Sequence, residues 1–143
     1  MAVQFSTRGI SLVKMHLTNA AIKGRTILGV RMLKFGELIM NDSKENYVPV
    51  DQDALRDTGT VREVSHGIGM NVEIRLSYGG GGTTGRAIAI HERPYNDPPT
   101  WEGKSDLNWT KPGTGPKYLE LPVMHHSAEV PAVVAEALVM VLK

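Results

Sequence analysis

The sequence predicts an α+β domain in which a long N-terminal helix and a C-terminal helix pack on a small antiparallel β-sheet. Three observations carry this expectation. Apolar residues from Ile10 to Met40 recur at steps of three, four or seven, which places them on one side of a helix. Within residues 58–66 and 71–78 apolar residues alternate with others, the period of a strand. From Ser127 onward the helical period returns. A chain of 143 residues fits a single domain, 1–143, that buries a core without disulfide or metal staples.

The first helix is expected over residues 10–46. Ile10, Leu17, Ala21, Leu28, Met32, Phe35 and Ile39 form its main apolar row, with Met15, Ile22, Leu33 and Met40 beside it. So wide an arc calls for burial on two sides, and in a small chain the second side is offered to another subunit. Gly24, Gly29 and Gly36 each weaken a helix by about 1 kcal/mol relative to Ala, so they mark a bend or a close helix contact. Asn41, Asp42 and Ser43 loosen the helix and Pro49 stops it. Residues 51–57 read as a short helical turn capped by Asp51.

Strand-like runs follow at Thr58–His66 and Asn71–Tyr78, joined by a turn at His66–Gly69. A third run, Arg86–Glu92, follows the glycine loop Gly79–Gly82 and is expected to complete the sheet. Residues 93–116 hold five of the eight prolines and both tryptophans. A loop this long is uncommon, and buried tryptophan surface implies that contacts order it, within the domain or with a neighbour. The last helix is expected over residues 127–142. Ser127 is its expected N-cap, Pro131 lies in its first turn, and Val130, Val134, Ala137, Leu138 and Val141 form its apolar stripe.

Composition excludes several classes of function. The chain has no cysteine, so it lacks thiol nucleophiles, disulfides and cysteine-ligated metals. No run of about 18 apolar residues exists, and the N-terminus lacks the apolar core of a signal peptide. The net charge of +1 is a cancellation. Residues 1–36 hold six basic groups, Arg8, Lys14, Lys23, Arg25, Arg31 and Lys34, and no acid. Residues 37–73 hold eight acids and three bases. Such segregation bears on partners rather than on fold.

The short motifs give little chemistry. Gly80–Gly85 matches G-x-G-x-x-G, but the expected strand after it offers no helix N-terminus to hold a pyrophosphate. Asp51, Asp53 and Asp57 fail the spacing of a calcium loop. His91-Glu92 lacks the second histidine of a zinc-protease motif, and neighbours on a strand would point to opposite faces. His125-His126 has the same difficulty. No catalytic set, metal site or cofactor is expected. The basic N-terminal helix supports nucleic-acid binding as an alternative function, although no aromatic residues interleave with its charges to stack bases. A hydrolase using His91 and Glu92 is a third reading.

One ordered series of segments is more specific. Val48-Pro49-Val50-Asp51 ends the long helix and is followed by Ala54-Leu55-Arg56-Asp57-Thr58-Gly59-Thr60-Val61. Then come Ala89-Ile90-His91-Glu92 and Gly115-Pro116-Lys117-Tyr118-Leu119-Glu120-Leu121-Pro122. In order and spacing this resembles the tail-component (tail-completion or neck) family of tailed bacteriophages. Gln52 and Asp53 stand where that family commonly has Thr-Gly, and the loop from Arg93 to Pro116 is longer than usual.

The resemblance implies a non-catalytic subunit of a homo-oligomeric ring, a hexamer in preference to a dodecamer, at the head–tail junction. Its partners would be other neck, connector and tail-tube proteins, with room for non-specific contact with genomic DNA in the lumen. It would reside in the virion and, during assembly, in the host cytoplasm. Pro49 and Asp51 would stop one helix and cap the next turn, His91 and Glu92 would end the third strand, and Lys117 to Glu120 would start the last helix. The candidate interface residues are Lys23, Arg31 and Lys34, whose charges would meet the acidic segment of a neighbour, and Tyr95, Trp101 and Trp109.

Overall fold

A computed structural model describes residues 7–49, 53–64, 71–80, 84–92 and 114–142. Asp51, the turn at residues 66–69, and the aromatic residues Tyr95, Trp101 and Trp109 lie outside the described residues. The fold is the expected mixture, mostly helical: a long first helix, a C-terminal helix and a small antiparallel sheet.

Helix α1 runs from Thr7 to Asp42, 36 residues and so about 54 Å. It widens into a π turn over Ser43–Tyr47, after which Val48 is extended and Pro49 follows. Its buried glycines serve close packing. A Cβ on Gly36 would lie 2.9 Å from methyl groups of both Ile74 and Val61, and one on Gly29 would lie 3.0 Å from the Glu63 carboxylate. Both glycines therefore let the sheet approach the helix backbone.

Helix α2 is the short turn Asp53–Asp57. Strands β1 (Thr60–Glu63) and β2 (Ile74–Ser77) pair antiparallel, Val61 opposite Leu76 and Arg62 opposite Arg75. Both strands pack on α1. Among the described residues the sheet has two strands.

The expected third strand is instead helix α3, Thr84–His91. Ala87-Ile88-Ala89-Ile90 is apolar at every position, so it carries no true period of two. Alanine's helix propensity then decides the local structure. His91 and Glu92 accordingly close a helix rather than a strand.

The C-terminal helix is also divided. Helix α4 spans Glu120–His126, a 3₁₀ turn spans Ser127–Glu129, and α5 spans Val130–Val141. Ser127 is not an N-cap, because its hydroxyl donates back to the Met124 carbonyl at 2.7 Å. Pro131 does sit in the first turn of α5. Helix α5 packs along α1 in the opposite direction. His126 contacts Asp42 and Phe35 near one end, and Glu136 and Met140 meet Arg31 further along.

Two buried regions result. Phe35, Ile39, Met40 and Ala137 lie among the packed α1 surfaces, and Val48, Leu55, Ala87 and Tyr118 form a cluster at the other side of the π turn. Only the C-terminal part of the main apolar row of α1 is buried. Residues 11–20 are all exposed, and Leu17 is 66% exposed. The C-terminal stripe is buried at Ala137 but open at Leu138.

Candidate functional site

The segments that carry the resemblance converge on Tyr118. Val48 comes from the end of α1, Leu55 from α2, Ala87 and His91 from α3, and Tyr118 from the turn before α4. The Tyr118 ring meets the Tyr78 ring edge-on at 5.1 Å and the His91 ring at 5.2 Å. Its hydroxyl donates to the Ala87 carbonyl at 2.9 Å. The Ser43 hydroxyl, buried in the π turn, donates to the Tyr118 carbonyl at 2.6 Å and accepts from the Tyr78 hydroxyl at 2.9 Å. Thus the π turn, the residue that follows β2, α3 and the 114–119 segment are tied by one polar chain inside an apolar cluster.

The electrostatics there keep both tyrosines protonated. Burial pushes the Tyr78 phenol up to about 12, although the Ser43 hydrogen bond and the nearby Arg56 charge oppose it. Burial pushes Tyr118 up to about 12 as well, with Tyr78 adding to it. Both phenols remain neutral hydrogen-bond donors near neutral pH.

At the edge of this cluster, His91 Nδ1 lies 2.8 Å from a Glu92 carboxylate oxygen, and Lys117 Nζ donates to the other at 2.9 Å. These neighbours converge because they end a helix, whereas a strand would have separated them. The Lys117 and His91 bonds hold the Glu92 carboxyl below its usual range, and Glu92 raises Lys117. The Lys117 N–H also donates to the His91 carbonyl at 3.1 Å, from a backbone with φ of 59°. His91 Nε2 is buried without a hydrogen-bond partner among the described residues. The neighbouring pocket of about 210 Å³ is lined mainly by Leu76, Tyr78, Ala87, Ile88 and Tyr118. The His91–Glu92–Lys117 set clamps the end of α3 to the segment that leads into α4.

The glycine loop is a second correction. A strand precedes it and helix α3 follows it, so a helix N-terminus exists where none was expected. Gly79 and Gly80 have φ of 104° and 135°, while residues 81–83 lie outside the described residues. The strand belongs to an antiparallel pair, unlike the parallel βαβ unit of dinucleotide folds.

A third feature was not anticipated. His126 Nδ1 lies 2.7 Å from Glu129, and its Nε2 lies 3.1 Å from Asp42. Both partners are acceptors, so the doubly protonated ring satisfies both. The Glu129 bond, and then the Asp42 bond, raise its pKa against the effect of burial. The adjacent groove of about 730 Å³ lies between the end of α1 and α4, and Lys34, Glu37, Leu38, Glu45, Tyr47 and His126 are among the residues that line it. Among the described residues no group of three or more His, Asp or Glu side chains is placed to hold a metal.

The three basic interface candidates separate. Lys23 is exposed on α1, and Lys34 is exposed at the groove. Arg31 turns inward, donating to Glu136 at 2.7 Å and to the Met140 sulfur at 3.3 Å. It ties α1 to α5 within the chain, so charge reversal there tests the fold before it tests assembly. Outside that candidate set an apolar surface is open: Leu12, Val13, Met15, Leu17 and Ile22 are all exposed on the first half of α1, and Leu138, Val139 and Met140 on α5. The wide apolar arc was the available signal for it.

No described helix is long and apolar enough to cross a membrane. Comparison with family models, with curated proteins and with solved structures returns no match.

Proposed function

We propose that this chain is a structural, non-catalytic subunit of a ring in the neck of a tailed bacteriophage, where it joins or closes the tail at the head–tail junction. The observation that carries this is the uncovered half of α1. Residues 11–22 expose Leu12, Val13, Met15, Leu17 and Ile22 to solvent. So many exposed apolar side chains on one helical segment mark an interaction site. The residues of the family-like segments support the same reading, because they are used in packing and clamping around Tyr118.

Native mass spectrometry and negative-stain imaging across a concentration series test it. The expected result is a closed ring, six copies in preference to twelve. A monomer at every concentration that binds DNA with a steep salt dependence would instead support the nucleic-acid reading.

A further inference from the structure

We infer that the contact between neighbouring copies is head-to-tail: the first half of α1 of one copy lies in the groove beside the end of α1 of the next. This rests on the ring reading and names its surfaces.

Leu17, Leu28 and Phe35 share one face of α1. Over the C-terminal part of the helix, α4 and α5 cover this face, through Phe35 with His126 of α4 and Arg31 with Glu136 of α5. Toward the N-terminus residues 11–20 are exposed, and Val13, Lys14, Leu17, Thr18 and Ala21 line an open, nearly apolar hollow. The stripe thus continues past the end of its own covering helix, which is where a second chain fits.

Charge then selects the occupant. The first 36 residues contain no acid, so pairing two copies of this segment would set Lys14 and Lys23 against like charges. The groove at the other end of α1 holds Glu37, Asp42 and Glu45, with Leu38 46% exposed. Lys34 and His126 offset part of this acidity, but Glu129 also faces His126. The C-terminal end of a long helix adds partial negative charge. A basic, apolar helix and an acidic groove with exposed leucine are complementary in both respects.

Distance excludes a contact within one copy. Leu17 and Leu38 lie on the same helix, separated by about 32 Å. Each copy therefore offers one surface and needs the other from a neighbour, and such a contact closes into a ring or extends into a filament.

The absence of cysteine allows a direct test by disulfide cross-linking of Leu17→Cys and Leu38→Cys, both at exposed positions. Mixing the two single variants should give a disulfide dimer, while each alone should not. The double variant should give a ladder ending at the copy number of the ring. In the wild-type background, Lys14→Glu should raise the concentration for half-assembly at low salt at least tenfold. Self-cross-linking of Leu17→Cys alone would overturn the proposal in favour of symmetric helix pairing. A wild-type ring with no cross-link in the mixture would overturn the contact and leave the ring standing. A wild-type monomer with no ladder from the double variant would overturn both. Loss of DNA binding by Lys14→Glu with assembly unchanged would assign the helix to DNA and overturn the contact.

Discussion

Tyr118 is the residue on which most of the described segments meet. It is 2% exposed, and its hydroxyl satisfies the Ala87 carbonyl. Tyr118→Phe should cost about 1 kcal/mol, because it removes a buried hydrogen bond. Tyr118→Ala should cost about 3–5 kcal/mol by leaving a cavity. Urea denaturation measures both, and equal effects would show that the hydroxyl alone matters. His126 gives a prediction in pH. Its folded pKa is raised above 6.5 by Glu129 and Asp42. Its contribution is therefore fully present below pH 6.5 and fades as pH rises through the folded value. The stability difference between wild type and His126→Gln should be greatest in acid and shrink toward alkaline pH. At this scale the sequence was only partly legible. The resemblance puts Tyr118 at a helix start, whereas its place in the core depends on Ser43, Tyr78 and Ala87, 31 to 75 residues away. Such long-range convergence leaves no local period to read.

At the scale of elements, α1 and the two paired strands were legible because their periods are strong. Helix α3 was not, since Ala-Ile-Ala-Ile has apolar residues in both phases. The break between α4 and α5 was also hidden, because prolines at 122 and 131 each suit a first turn. The glycines of α1 separate two effects in one helix. Gly36→Ala gains about 1 kcal/mol of helix propensity. It also forces a Cβ against the branched methyls of Ile74 and Val61, an overpacking cost of about 1–3 kcal/mol. We expect a net loss of about 1 kcal/mol. At Gly29 the obstruction is the flexible Glu63 carboxylate, so Gly29→Ala should be neutral or stabilising. Denaturation midpoints of the two variants check the contrast.

The whole molecule has a packed end and an open end. The packed end gathers α2, the strands, α3, α4 and the last turns of α1 around Phe35 and Tyr118. The open end is a helix whose apolar residues face solvent. The segregation of charge along the chain now has a partial structural account. Arg31 finds its acid within the chain, at Glu136, while Lys14, Lys23 and Lys34 are exposed. A charge-assisted contact between copies should weaken as salt rises. Half-assembly should therefore require more protein in 1 M than in 0.05 M salt, values that span strong and weak screening on the order of the Debye lengths involved. Tyr95, Trp101 and Trp109 lie outside the described residues, so a Trp101→Ala variant tests their part in assembly directly. We expect it to weaken binding between copies or to a neighbouring ring.

The central claim is that this chain is an assembly subunit, and the native mass of the purified protein across concentration and salt tests it most directly. We predict a closed ring of a single copy number that dissociates as salt rises. A monomer at all concentrations, with no higher species even at low salt, would contradict it.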